Sequence, residues 1–178
     1  MKIRKAAMTD IPALLELING YASSGMMLPQ TDFEAAEKIR DFTVAEDDGR
    51  LIGCGALHFY TLTAGEVRSL AVNSAAKGRG IGRGIVESLE SEAREFGLDS
   101  LFAFTYVPEF FRKLGFAEVD RADLPLKAWK DCMRCPKFQC CDELALVKHL
   151  DGRKHPLAGA GEEHDPEARA IQLPILKQ

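Results

Sequence analysis

Lys77-Gly-Arg-Gly-Ile-Gly-Arg-Gly84 follows an extended run, Glu66-Val-Arg-Ser-Leu-Ala-Val72, and leads straight into an amphipathic stretch of helical period. The chemistry open to such a turn is anion binding. The first N–H groups of a helix have no partner inside it, and the positive end of the helix dipole lies there, so a phosphate or pyrophosphate finds donors in place. Glycine lets the backbone come close to the anion and take up unusual φ/ψ values. Two familiar phosphate loops do not fit. A P-loop needs Gly-Lys-Ser/Thr at the helix start, whereas Gly82 is followed by Arg83 and Gly84, with no hydroxyl for magnesium. A dinucleotide fingerprint needs G-x-G-x-x-G, and counting from Gly78 or Gly80 the last position falls on Arg83 or Ile85. What remains is x-x-G-x-G behind a Leu-x-Val strand end. A surface turn without a ligand is the bland alternative, and the order of strand, turn and helix speaks against it.

The elements that would position this turn are legible around it. Residues 66–72 read as a strand and 80–96 as the main helix, with Ile81, Ile85, Leu89, Ala93 and Phe96 on one face and Gly97 as its stop. Upstream, residues 2–6 read as a first strand. A helix follows with Thr9 as N-cap, Pro12 in its first turn and Leu14, Leu15, Leu17 and Ile18 as its apolar face. Residues 21–30, with Gly25 and Pro29, read as a loop, and 42–45 with 51–61 as a hairpin around Asp47-Asp-Gly49. Downstream, residues 101–105 form a strand, Pro108 opens a short helix, 116–120 begin another strand and 143–149 a last one. From about residue 151 the composition turns to Gly, His, Glu and Pro. The organisation expected is one domain over residues 1–150 and a loose tail over 151–178, whose apolar segment 171–176 could dock.

A chain of 178 residues with 46% hydrophobic content can bury an ordinary core. The net charge of −4 argues against nucleic acid as a partner. The apolar stretch behind Lys2, Arg4 and Lys5 is broken by Asp10 and Glu16, so neither a signal peptide nor a membrane span fits. A cytoplasmic setting follows, in which the five cysteines are not a disulfide framework.

The turn and the strand before it, together with Phe111-Arg-Lys-Leu-Gly-Phe116 one helix and one strand downstream, resemble the GCN5-related N-acetyltransferases. The resemblance implies an α/β (α+β) fold with a mixed central sheet flanked by helices, and acetyl-CoA as co-substrate. It places the cofactor on Leu70, Ala71, Val72, Lys77, Gly78, Arg79, Gly80, Ile81, Gly82 and Arg83, with Phe111 on the helix beneath it. The loop of the family begins with Arg or Gln where Lys77 stands here. More specific segments, Leu101-Phe-Ala-Phe-Thr-Tyr-Val-Pro108 and Leu124-Pro-Leu-Lys-Ala-Trp-Lys-Asp-Cys-Met-Arg-Cys-Pro-Lys-Phe138, are similar to the short bacterial N-acetylglutamate synthases. That implies L-glutamate as acceptor and the first step of arginine biosynthesis. The implied partners are these two small molecules, with no nucleic acid and no membrane, and a homodimer stays open.

Acetyl transfer to an amine needs a proton acceptor, a donor for the oxyanion and an acid for the leaving thiolate. Glu66 stands where many relatives keep their general base, and an exposed edge charge is the alternative. Leu70 N–H would serve the oxyanion. The tyrosine that relatives use as acid falls on Phe111, which leaves Tyr106 as substitute or as a half-buried aromatic. Period two sets Arg68 on the face of Glu66, suited to a carboxylate. Glutamate brings two carboxylates, and of Arg4, Arg68, Arg112, Lys127 and Lys130 the pair expected is Arg68 and Lys127. Cys132, Cys135, Cys140 and Cys141 crowd one short segment, so structural thiols are expected there and no metal. A set of three with His149, or thiol regulation, stays open. The competing functions are acetylation of another small amine or a protein N-terminus, and a non-catalytic module responsive to acetyl-CoA or metal.

Overall fold

The computed structural model describes residues 1–124, 135, 137 and 140–151. Lys127, Lys130, Cys132 and the tail from residue 152 lie outside the described residues. Seven strands form one sheet: β1 (Lys2–Lys5), β2 (Phe42–Asp47), β3 (Arg50–Phe59), β4 (Ala64–Val72), β5 (Ser100–Thr105), β6 (Ala117–Val119) and β7 (Leu144–His149). Their order is β1-β2-β3-β4-β5-β7-β6. Every neighbouring pair is antiparallel except β4 and β5. A parallel pair cannot be joined by a hairpin, and helix α3 (Ile81–Glu95) makes the crossover. Between β2 and β3 the chain reverses on Asp48 and Gly49, both left-handed at φ 49° and 75°. That is the turn whose twist matches the strands it joins.

Each face of the sheet carries its own core. On one, α3 lays Ile81, Ile85, Leu89 and Ala93 over Leu57, Val67, Leu101 and Ala103. It sits close because β3 presents Gly53 and Gly55, and a Cβ on Gly55 would stand 2.8 Å from Ile85 Cγ2. Phe96 is 64% exposed and does not belong to that face. The helix has already ended at Glu95, because Gly97 at φ 75° turns the chain and Leu98 N–H donates back to Ala93 O. On the other face, α1 (Ile11–Ala22) and α2 (Asp32–Glu37) pack Ile11, Leu14, Ile18 and Ala35 against Phe42, Val44, Cys54 and Ala56.

One local expectation fails for an identifiable reason, and one helix adds to those expected. Thr9 does not cap α1. A tight turn over Met8–Asp10 precedes it, and Asp10 accepts the Ala7 N–H and binds Arg4. Helix α2 starts right after the stretch read as loop, on a reciprocal cap in which Thr31 Oγ1 accepts Glu34 N–H and the Glu34 carboxylate accepts Thr31 N–H. Thr31-Asp-Phe-Glu34 is the sequence signature of that cap. No helix among the described residues is long and apolar enough to cross a membrane.

Gly55→Val should destabilise the fold by about 1–3 kcal/mol, because its methyls have no room beneath α3. A shift of the urea midpoint with unchanged slope would show it.

Candidate active site

Strands β4 and β5 pair at Ala64↔Ser100, Gly65↔Leu101 and Glu66↔Phe102 only. Beyond Glu66 they diverge, and a cleft of about 880 Å³ opens between them. β4 also carries a bulge: Cys54 faces Ala71 and Ala56 faces Arg68, so two steps on β3 span three on β4. The bulge includes Ser69, left-handed at φ 52°. It is held from both sides. The Cys54 thiol, which burial pushes up to about 12 in pKa, meets Ser69 O at 3.6 Å. From the cleft side Gln30 Nε2 donates to Ser69 Oγ at 3.3 Å, while the Asn19 amide binds the Gln30 backbone at both N–H and carbonyl, each 2.9 Å.

The backbone beyond the bulge is presented to the cleft. Asn73 N–H donates to Ile52 O at 2.8 Å, and alternation makes Ala71 and Cys54 a bonded pair. Leu70 and Val72 therefore turn their N–H and carbonyl groups away from β3. The Tyr21 hydroxyl donates to Val72 O from that side, at 2.7 Å. Ala71 is bonded to β3, and its contribution to the cleft is packing.

At the other end the loop delivers the start of α3. Gly78 and Gly80 are left-handed at φ 79° and 77°, and no side chain caps the helix. Its first backbone bond is Gly84 N–H to Gly80 O, 3.0 Å, so the amides of Ile81, Gly82 and Arg83 precede any helical partner. Lys77, Gly78, Gly80, Ile81, Gly82 and Arg83 all line the cleft. The Lys77 ammonium lies 5.2 Å from the centre of the Tyr21 ring. Arg79 departs from expectation, since its guanidinium binds Asp47 at 2.7 Å and it is not among the lining residues. Phe111, on α4 (Pro108–Arg112), also lines the cleft; it is 3% exposed and packs against the Phe110 and Phe116 rings.

Glu66 and Arg68 stand side by side as period two requires, with Arg68 Nη1 3.8 Å from Glu66 Oε2 and side chains 17% and 11% exposed respectively. Tyr106 lines the cleft across from them. Burial pushes its phenol above the usual range, and a hydrogen bond from Lys137 Nζ at 3.1 Å opposes the shift. A phenol so held remains protonated at neutral pH and can donate. Of the other expected cations, Arg4 binds Asp10 and Glu46, and Arg112 binds Glu109 and Glu118, all away from the cleft.

The cleft also gathers Tyr60, Arg121, Lys137 and Glu143, which sequence reasoning did not single out as site residues, and it takes in Tyr21 and Gln30 from the stretch read as loop, a region that the family resemblance assigns to the acceptor pocket. Glu143 stands just before β7 and reaches the site because β7 lies beside β5. Burial pushes its carboxyl above the usual range, with a Cys141 thiol contact at 3.7 Å and the Arg121 charge opposing. Cys135 and Cys141 line the same end. Among the described residues no three His, Cys, Asp or Glu side chains gather as metal ligands.

The region that builds this cleft is shared with known proteins. The Acetyltransferase (GNAT) family matches residues 11–116. An uncharacterized N-acetyltransferase from Chlorobaculum tepidum is 41% identical over 148 residues, which cover 83% of this chain and 96% of that protein. An amino-acid acetyltransferase from Mycobacterium tuberculosis is 34% identical over 135 residues, covering 74% and 77%. The structure of N-acetylglutamate synthase from Neisseria gonorrhoeae, complexed with coenzyme A and N-acetyl-glutamate, superposes with a TM-score of 0.77 at 30% identity, over 84% of this chain and 35% of that one.

Two outcomes follow from this geometry. A Cβ on Gly82 would lie 3.3 Å from the Phe110 ring, so Gly82→Val should wedge the loop from α4 and misplace the α3 amides. Donors to a charged partner are worth about 1.5–3 kcal/mol each, so coenzyme A binding should weaken by more than about tenfold in calorimetry. The second outcome concerns Glu143. Its raised pKa means that the folded state favours the protonated form, so stability is full below the unfolded value near 4.5 and is lost as pH rises through the folded one. Glu143→Gln should raise Tm at neutral pH, and the gain should vanish in melts below about pH 4.5.

Proposed function

The chain belongs to the acetyltransferase (GNAT) family, and from that premise we propose that it transfers acetyl from acetyl-CoA to the α-amine of L-glutamate, the N-acetylglutamate synthase reaction that opens arginine biosynthesis. Acetyl-CoA is the co-substrate. The observation that carries the acceptor reading is the Glu66–Arg68 pair on β4, inside a cleft continuous with the uncapped start of α3.

In this reading the pyrophosphate rests on the amides from Gly78 to Arg83, with Lys77 and Arg83 supplying charge. The pantetheine arm runs along Leu70 and Val72, completing the ladder that β5 abandons. The thioester then lies at the bulge. Arg68 grips one carboxylate of glutamate. Lys127 is the second cation expected from the sequence, and Arg121 and Lys137 line the same end among the described residues. Glu66 takes a proton from the α-ammonium, directly or through water, and the free amine attacks the thioester carbonyl. Leu70 N–H receives the oxyanion. Tyr106 protonates the departing thiolate, the part that Phe111 cannot play.

The test is release of free CoA over a panel of amino acids. Glutamate should be the best acceptor, and preference for uncharged or basic amines would sink the assignment. Arg68→Ala should raise the glutamate KM by the cost of breaking one such pair, about 2–5 kcal/mol, or roughly 30-fold to several thousand-fold. The acetyl-CoA KM should hardly change, and Arg68→Lys should recover only part, since an ammonium cannot make two parallel bonds. Glu66→Gln should lower kcat by about 10²–10⁴-fold and alter the acidic limb of the pH–rate profile.

A further inference from the structure

Each turnover must export a proton. The acceptor ammonium loses one proton before it attacks and a second when the tetrahedral adduct collapses. The departing thiolate takes up only one of them, so the other must reach solvent. Glu66 is poorly placed to release it, since its side chain is only 11% exposed.

Directly across the ladder from Glu66 stands His58. Opposed residues on neighbouring antiparallel strands share a face with Cβ atoms about 4.5–5.5 Å apart, within reach of an imidazole and a carboxylate. His58 Nδ1 lies 2.9 Å from Asp41 Oδ2, and these two side chains are 34% and 30% exposed. The ring also meets Tyr60 edge-on at 4.9 Å between centroids, and Tyr60 lines the cleft. His58 thus stands just behind the cleft wall, between a buried carboxylate and open water. The charged and titratable groups around it are Asp41 from the turn before β2, Tyr60 just past the end of β3, and Glu66 and Arg68 on β4.

We propose that His58, oriented by Asp41, is the proton exit of the site. This rests on the reading of Glu66 as the base. The neutral ring donates Nδ1–H to Asp41, which leaves the Nε2 lone pair to take the proton from the Glu66 carboxyl. The imidazolium, one third exposed, then gives up the same Nε2 proton to water, which restores the Nδ1–H tautomer held by Asp41, and Glu66 has returned to the carboxylate. Atoms and charges balance over the cycle, with one proton released per amide formed. Asp41 is a positioning residue here.

A purely structural role, tying the Asp41 turn to β3, is separated by His58→Gln. The glutamine amide can still donate to Asp41 but has no basic nitrogen. In weakly buffered solution its kcat should fall by about tenfold or more, with Tm near that of wild type, and added imidazole should restore turnover in proportion to its concentration. Asp41→Asn should show a smaller loss. Glu66→Gln should not respond to imidazole, because it lacks the group that imidazole would discharge. Wild-type kcat for His58→Gln from about pH 6 to 9 would overturn the proposal, as would a loss that imidazole leaves untouched. If His58→Gln alone is silent, only the relay fails. If Glu66→Gln is fully active, the reading of the base fails and the relay falls with it.

Discussion

Two hydrogen-bonded strands that part midway leave backbone groups facing a gap, and this site depends on that separation. After Glu66↔Phe102 the ladder between β4 and β5 ends, although β4 continues for six residues and β5 for three. A sheet interior without partners is costly, since an unmade backbone bond loses about 1–3 kcal/mol when buried. The gap stands as an open cleft, and in the proposed reading the extended, amide-bearing arm of the cofactor takes the place of a strand there. The Tyr21 hydroxyl on Val72 O offsets one such vacancy. The bulge adds to the effect by changing which β4 groups face the gap, and the buried Cys54 thiol and the Gln30 amide pin it from opposite sides.

The charges are arranged around the same opening. Glu66 and Arg68 are both mostly buried, and either alone would pay a heavy desolvation cost. Their pairing lowers that cost while keeping a cation and a carboxylate inside the cleft. Glu143, just before β7, has its carboxyl pKa raised by burial, with the Arg121 charge opposing. At the opposite end the charge comes from oriented amides, with Lys77 and Arg83 at the rim. In the proposed reading an anionic cofactor and an anionic acceptor would share one cleft because different devices neutralise them. Arg79 shows that a basic residue in the loop need not join: the Asp47 carboxylate is a nearer partner that draws it away.

Much was legible in the chain by itself because it depends on neighbours in sequence. Gly80 before Ile81, Gly97 after Glu95, Asp48-Gly49 between two apolar runs and the period that pairs Glu66 with Arg68 are all local rules, and the elements stand where those rules put them. Helix α2 left a signal too, in Thr31 and Glu34, but its six residues are under two turns, too few to show a helical period. What the tertiary structure alone decided is convergence. That β5 leaves β4 after three pairs, that Glu143 arrives from β7, that Tyr21 reaches Val72 and that His58 faces Glu66 are matters of register between segments far apart in sequence. Register is set by how whole faces bury, and a slip of one residue would turn Glu66 and Arg68 into the α3 core. The sequence by itself determined the loop, the helix it opens and the residue types available for chemistry. Only the packing of α1 and α2 against one face and α3 against the other decided which of those residues meet.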